Sequence, residues 1–170
     1  MPEFTYEGSR YEIEGVLPDI GDSAPDFSLV STELMDVSLS HWPERRKILN
    51  IVPTIEMKAS LVSTQRFLES VAASDDVTLF IVSMDTPFTL KRVINDSNLY
   101  GVIGLSGIRS AGFDRNYGVG IPRGPLKAFY ARAVVVIDEN DTIVHAELLS
   151  DIEGEPDYRA VGEALGFQQD

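Results

Sequence analysis

The sequence predicts an α/β fold: a mixed β-sheet with helices on both faces, preceded by a β-hairpin. Three observations predict it. Two short apolar runs rich in branched residues, 48–52 and 77–83, are each followed by an amphipathic stretch, the pattern of βαβ units whose strands are buried on both faces. A second hairpin pattern and a closing helix occupy 131–165, which adds antiparallel strands to the parallel ones. The chain is 170 residues long and 44% hydrophobic, which suits one domain spanning 1–170 with a sizeable core.

Each element has its own signal. In 1–15, Phe4 and Tyr6, then Tyr11 and Ile13, alternate about Gly8-Ser9, which reads as a hairpin. Residues 16–26 are a Pro/Gly/Asp-rich loop, and short strands are expected at 27–30 and 37–39. The strand at 48–52 ends at Pro53. A helix is expected over 60–73, with Leu61, Thr64, Phe67, Leu68 and Val71 on one stripe. After the strand at 77–83, Asp85-Thr86-Pro87 combines a capping side chain with proline in the first turn of a helix that carries Phe88, Leu90, Val93 and Ile94. A short strand at 102–105 and a short helix at 111–117 follow. The strand at 131–137 has the strongest signal in the chain; Asp138-Glu139-Asn140-Asp141 turns it onto 142–149. Glu155-Pro156-Asp157 opens a last helix reaching Leu165, and residues 168–170 are expected to be disordered.

Composition excludes several functions. The formal net charge is -13 and no basic stripe exists, which argues against nucleic acid as a partner and fits a solvated, aggregation-resistant surface. The N-terminus lacks a basic region followed by an apolar one, and no run approaches the ~18 apolar residues of a membrane helix. No membrane association and a cytoplasmic location are the resulting expectations. There is no cysteine, so disulfides and thiolate chemistry are out. No His/Asp/Glu cluster at ligand spacing suggests a metal, and no cofactor is expected. Asp85, Glu139 and Asp141 sit where turns and caps explain them.

The informative stretch is Pro53-Thr54-Ile55-Glu56-Met57-Lys58-Ala59-Ser60, which leaves a buried strand and enters a helix. Such a junction turns free backbone N–H groups and the positive end of the helix dipole toward whatever sits in the first turn. At this point the chain resembles the thiol peroxidase branch of the peroxiredoxins. The resemblance runs from the hairpin to the last helix and is carried by six pieces in order. They are Leu49-Asn50-Ile51-Val52-Pro53; Pro87-Phe88 with Lys91-Arg92; Tyr117-Gly118-Val119; Gly124-Pro125-Leu126-Lys127; residues 131–141; and Glu155-Pro156-Asp157-Tyr158.

The resemblance implies a thioredoxin-like fold, a homodimer, thioredoxin as the reducing partner of an active member, and an active site of the form Pro-x-x-x-Thr-x-x-Cys. Pro53 occupies the proline position. Met57 stands where the threonine belongs, and Ser60 where the peroxide-attacking cysteine belongs. The family's activating arginine matches Arg132, and its resolving cysteine falls at Ile94. In the family a thiolate attacks the peroxide O–O bond and becomes a sulfenic acid. A serine hydroxyl cannot take the sulfenic step, Met57 removes the orienting hydroxyl, and Ile94 offers no disulfide partner.

Several readings stay open at this stage. The chain is a peroxidase-inactive homologue kept for binding or regulation, a thioredoxin-dependent hydroperoxide reductase seen as a Cys→Ser60 variant, or an enzyme with new chemistry at Ser60. A serine hydrolase needs a base, and the only histidines are His41, in a loop before Trp42-Pro43, and His145, in the late hairpin. The plain alternative makes Ser60 a helix cap or first helical residue. Met57 offers a slow oxidation to sulfoxide. Arg132 is expected to be partly buried, as an anion contact or in a salt bridge with Glu56 or another carboxylate. Pro53 shapes the turn.

Overall fold

A computed structural model describes residues 1–167; the expectation of disorder at 168–170 lies outside the described residues. The hairpin pairs β1 (Glu3–Tyr6) with β2 (Ser9–Glu12). Its turn is Glu7-Gly8, not Gly8-Ser9. A type I′ two-residue loop needs positive φ at both turn positions, and Glu7 and Gly8 supply 49° and 81° while Ser9 pairs with Tyr6.

The main sheet has seven strands. These are β3 (Leu29–Ser31), β4 (Asp36–Val37), β5 (Arg46–Ile51), β6 (Val77–Ser83), β7 (Ile103–Ser106), β8 (Ala133–Ile137) and β9 (Ile143–Leu148). They lie in the order β4-β3-β7-β6-β5-β8-β9, with β5, β6 and β7 parallel and the rest antiparallel. The helices are α1 (Lys58–Val71), α2 (Pro87–Asp96), α3 (Phe113–Asn116) and α4 (Tyr158–Ala164). The expected elements are all present, with ends displaced by one or two residues. Thioredoxin-like α/β architecture with an N-terminal hairpin is the result.

Helices lie on both faces, but unevenly: the short α3 packs by Phe113 in the hairpin layer, and the three longer helices share the other face. Phe67 and Val71 of α1, Leu90, Val93 and Ile94 of α2, and Val161 of α4 share one core layer with Ile48, Leu79 and Ile81 of the sheet. The cause is topological: β5, β6 and β7 are neighbours in sequence order, and successive same-handed crossovers moving one way across a sheet leave both helices on one face. The other layer packs Leu49, Ile51, Phe80 and Val82 against the hairpin's Phe4 and against Ile13, Phe113 and Tyr117. Strand β5 therefore alternates, with Leu49 and Ile51 toward the hairpin layer and Ile48 toward α1. Asn50 follows Ile48 toward α1, as its bonds show below. No described helix is long and apolar enough to cross a membrane.

Candidate active site

The site is assembled at the carboxyl end of β5. Pro53 is buried and ends the strand, and the loop that follows is held by one carboxylate. Asp85, just past β6, accepts from Thr54 Oγ1 at 2.8 Å, from the Ile55 N–H at 2.8 Å and from Ser83 Oγ at 2.6 Å. Asp85 is thus not the cap of α2; Thr86 is, its Oγ1 accepting from the Thr89 N–H at 3.3 Å. Nothing in sequence spacing connects Asp85 to residues 54 and 55; the parallel pairing of β5 with β6 brings them together.

With the loop pinned, α1 starts earlier than the sequence pattern suggests. Met57 is its N-cap, in extended conformation, and no side chain caps the helix. The first turn holds no acidic residue, so its N–H groups keep their positive field. Ser60 is the third helical residue. It neither caps nor begins the helix, which corrects the simpler expectation; it is fully buried, and its Oγ has no hydrogen-bond partner among the described residues.

The backbone of Ser60 is locked in place. Its carbonyl accepts from Ser63 Oγ at 3.1 Å and Thr64 Oγ1 at 2.7 Å, and Asn50 Nδ2 donates to both hydroxyls at 3.0 and 3.1 Å. The buried stripe of α1 accordingly runs Ser60, Ser63, Thr64, Phe67, Val71, while Leu61 and Leu68 stand at its partly exposed margin. Asn50 is a site residue that the sequence motif does not single out. The signal available for it is a polar side chain inside an apolar strand, since a buried amide must find partners.

Arg132 immediately precedes β8, whose Ala133 pairs with Ile51, so the arginine stands beside the last residues of β5. It is 1% exposed. Its Nη1 donates to the carbonyls of Ile152 and Gly154 at 2.8 and 3.0 Å, while Nε and Nη2 have no partner among the described residues. The expected ion pair with Glu56 does not form. Glu56 is exposed and pairs with Arg92 at 2.8 Å, since α1 and α2 follow the carboxyl ends of the adjacent parallel strands β5 and β6. Burial pulls the Arg132 guanidinium below its ordinary pKa, against the opposing pull of Tyr158, Asp151, Glu147 and Glu155.

A groove of about 480 Å³ opens beside the start of α1, lined by Tyr6, Met57, Lys58, Ala59, Val62, Glu153 and Glu155, and neither Ser60 nor Arg132 is part of its lining. Ile94 lies elsewhere. It is buried in α2 against β7, which is separated from β8 by β6 and β5, and its Cδ1 lies 3.0 Å from where a side chain on Gly104 would begin. The histidines serve other contacts: His41 Nδ1 accepts from the Ser38 N–H at 3.0 Å, and His145 Nε2 is 3.5 Å from Glu147. Among the described residues nothing bonds the Ser60 hydroxyl, so no base stands against it to support the hydrolase reading. Among the described residues no three His, Asp or Glu are grouped to hold a metal. What the constellation offers chemically is a set of donors without a nucleophile: helix N–H groups, a hydroxyl and half a guanidinium.

Comparison with known proteins gives this arrangement its family. The redoxin family model matches residues 19–161. A thiol peroxidase of Corynebacterium glutamicum is 34% identical over 165 residues, covering 97% of this chain and 99% of that one. The chain belongs to the redoxins, on their thiol peroxidase branch. A thiol peroxidase of Leptospira interrogans is 37% identical over 94% of this redoxin and 95% of its own length. Among solved structures, the thiol peroxidase from Chromobacterium violaceum has the same fold, with a TM-score of 0.92 at 22% identity over 97% of this chain and 95% of that one. A peroxiredoxin-like protein from Aquifex aeolicus scores 0.88 at 28% identity, covering 98% and 97%. This redoxin has the family's frame and no cysteine anywhere in it.

Proposed function

We propose that this redoxin does not reduce peroxides through a thiol and is retained for a binding or regulatory role, with the groove at the start of α1 as its site. In this reading Ser60 stands at the position of the peroxide-attacking cysteine, Met57 at that of the threonine and Ile94 at that of the resolving cysteine, while Pro53 and Arg132 are kept. One observation carries it: the buried Arg132 is kept, but the group at the attacking position is the Ser60 hydroxyl, which cannot take the sulfenic step. A homodimer and a cytoplasmic location are carried over from the family as part of the same proposal; sedimentation velocity checks the first.

The test is peroxide consumption, with hydrogen peroxide and an alkyl hydroperoxide, using thioredoxin or dithiothreitol as reductant. No turnover above buffer is expected, and turnover abolished by Ser60→Ala overturns the proposal. One observation favours a second reading, that of a hydroperoxide reductase carrying a Cys→Ser exchange. A buried hydroxyl with no partner is what such an exchange leaves, because a buried thiol tolerates apolar surroundings that a hydroxyl does not. Ser60→Cys separates the two. Weak activity is expected here, since Met57 offers the peroxide no hydroxyl; full activity, or a cysteine codon at position 60 of the native gene, establishes the second reading.

A further inference from the structure

A second cavity, of about 230 Å³, lies at the carboxyl ends of β6 and β7, against the segment that enters β8. Three neighbouring stretches of backbone build it. Gly120 bridges Glu14 on one side and Tyr130 on the other, so two side chains flank a position that has none. Asp114, in α3, comes over that gap: its Oδ2 lies 3.5 Å from where a side chain on Gly120 would begin. A second glycine makes room for the phenol, since a side chain on Gly107 would collide with the Tyr130 hydroxyl.

The polar groups around this cavity are unanswered. Tyr130 lines it at 3% exposure, and its hydroxyl has no hydrogen-bond partner among the described residues. A hydroxyl taken that far from water needs one. Glu14 and Asp114 line the same cavity, and neither makes an ion pair among the described residues. Burial first, and then the charge of Asp114, push the Tyr130 phenol above its ordinary pKa, so it stays a neutral hydroxyl. Among the described residues no lysine, arginine or histidine lines the cavity, whereas the groove at the start of α1 has Lys58 beside its two glutamates.

We propose that this cavity binds a small organic monocation, a primary ammonium on a compact apolar body. The ammonium donates to the Asp114 carboxylate and to the Tyr130 hydroxyl oxygen, and Glu14 adds to the field. Met84, Ile108, Ile121 and Phe129 form an apolar wall for the body, which covers the otherwise exposed Ile108 and Phe129. The volume admits roughly eight water-sized groups at ~30 Å³ each, which matches a benzylammonium ion and is too small for a peptide or a nucleotide. Two carboxylates with an apolar wall, and no grouping of three His, Asp or Glu among the described residues, select an organic ion over a metal ion. A chain charge of -13 favours the approach of any cation.

The cavity shares no lining residue with the groove at the start of α1, and its ligand needs no chemistry at Ser60. The test is calorimetric titration of the full chain with benzylammonium chloride at constant ionic strength, together with NMR observation of the Tyr130 ring. Saturable one-to-one binding is expected, with the Tyr130 signals moving in step. Benzyl alcohol, which has the same shape and no charge, binds about tenfold or more weakly. Asp114→Asn weakens benzylammonium binding about tenfold, and Tyr130→Phe, which keeps the ring, about fivefold. Asp76→Asn, at the other end of β6, leaves the affinity unchanged. If Asp114→Asn does not fold, the preference of the unaltered chain for benzylammonium over benzyl alcohol decides. Absence of saturation, Tyr130 signals that stay still through it, benzyl alcohol binding as tightly, or an effect of either cavity variant under about twofold overturns the proposal. Affinity that falls as the protein is concentrated, with a second copy closing the cavity, overturns it too.

Discussion

The two ends of strand β5 solve the same problem in opposite ways. At its start, Arg46 is partly exposed and finds its carboxylate, Asp76, within the chain. Beside its finish, Arg132 is buried and finds only carbonyls for one nitrogen. The first end is a finished structural joint of modest worth, since exposed ion pairs contribute little. The second leaves Arg132 Nε and Nη2, Ser60 Oγ and Asn50 Oδ1 buried without partners among the described residues, where β5, β8 and the start of α1 meet in the chain's topology. Buried polar groups are normally satisfied, so a cluster of exceptions marks a place where stability is given up for a ligand or a reaction.

The sharpest way to break this contrast is to release the loop that builds the second end. Asp85→Ala removes three hydrogen bonds to a carboxylate and should destabilise the fold by about 3 kcal/mol in urea unfolding. A loss below about 1 kcal/mol would show that the loop of residues 53–57 holds itself, and that Asp85 is incidental to the site. Next comes a change with the unusual sign. Ser60→Ala deletes a buried hydroxyl that bonds to nothing among the described residues, so it should raise stability by about 1 kcal/mol. A destabilised Ser60→Ala would mean the hydroxyl has a partner and the end is not under-satisfied.

The smallest effect lies at the first end. Asp76→Asn should cost only about 0.5 kcal/mol near neutral pH. The hydrogen bond and charge of Arg46 hold the Asp76 carboxyl below its ordinary pKa. Its folded value is therefore the lower one. The pair's contribution is fully present above the ordinary aspartate range and is lost as pH falls through that range to the depressed value. Unfolding curves of the parent and Asp76→Asn should accordingly differ at pH 7 and coincide in acid. A difference persisting in acid would assign the effect to packing rather than charge.

Much of this was legible in the chain. The apolar runs of β5, β6 and β8, the Thr86-Pro87 start of α2 and the Asp157 start of α4 announce themselves because strand burial and capping are local or short-period properties. The absence of cysteine is likewise complete in the sequence, and with it the exclusion of thiol chemistry at Ser60 and Ile94. The position of Ser60 relative to its helix was not legible. The start of α1 depends on Asp85, some thirty residues away in sequence and joined to the loop only by the pairing of β5 with β6.

The partners of Arg132 were equally out of reach. A charged side chain at the edge of an apolar strand signals that a partner is needed, but not which. Two backbone carbonyls at 152 and 154 answer for one nitrogen, and the register of β5 against β8 sets Arg132 beside the end of β5. The sequence by itself determined the fold, the family frame and the missing sulfur, since these follow from pattern and composition. Only the tertiary structure decided that the frame still holds a buried, half-unanswered guanidinium, because hydrogen-bond satisfaction depends on groups brought together across the whole chain.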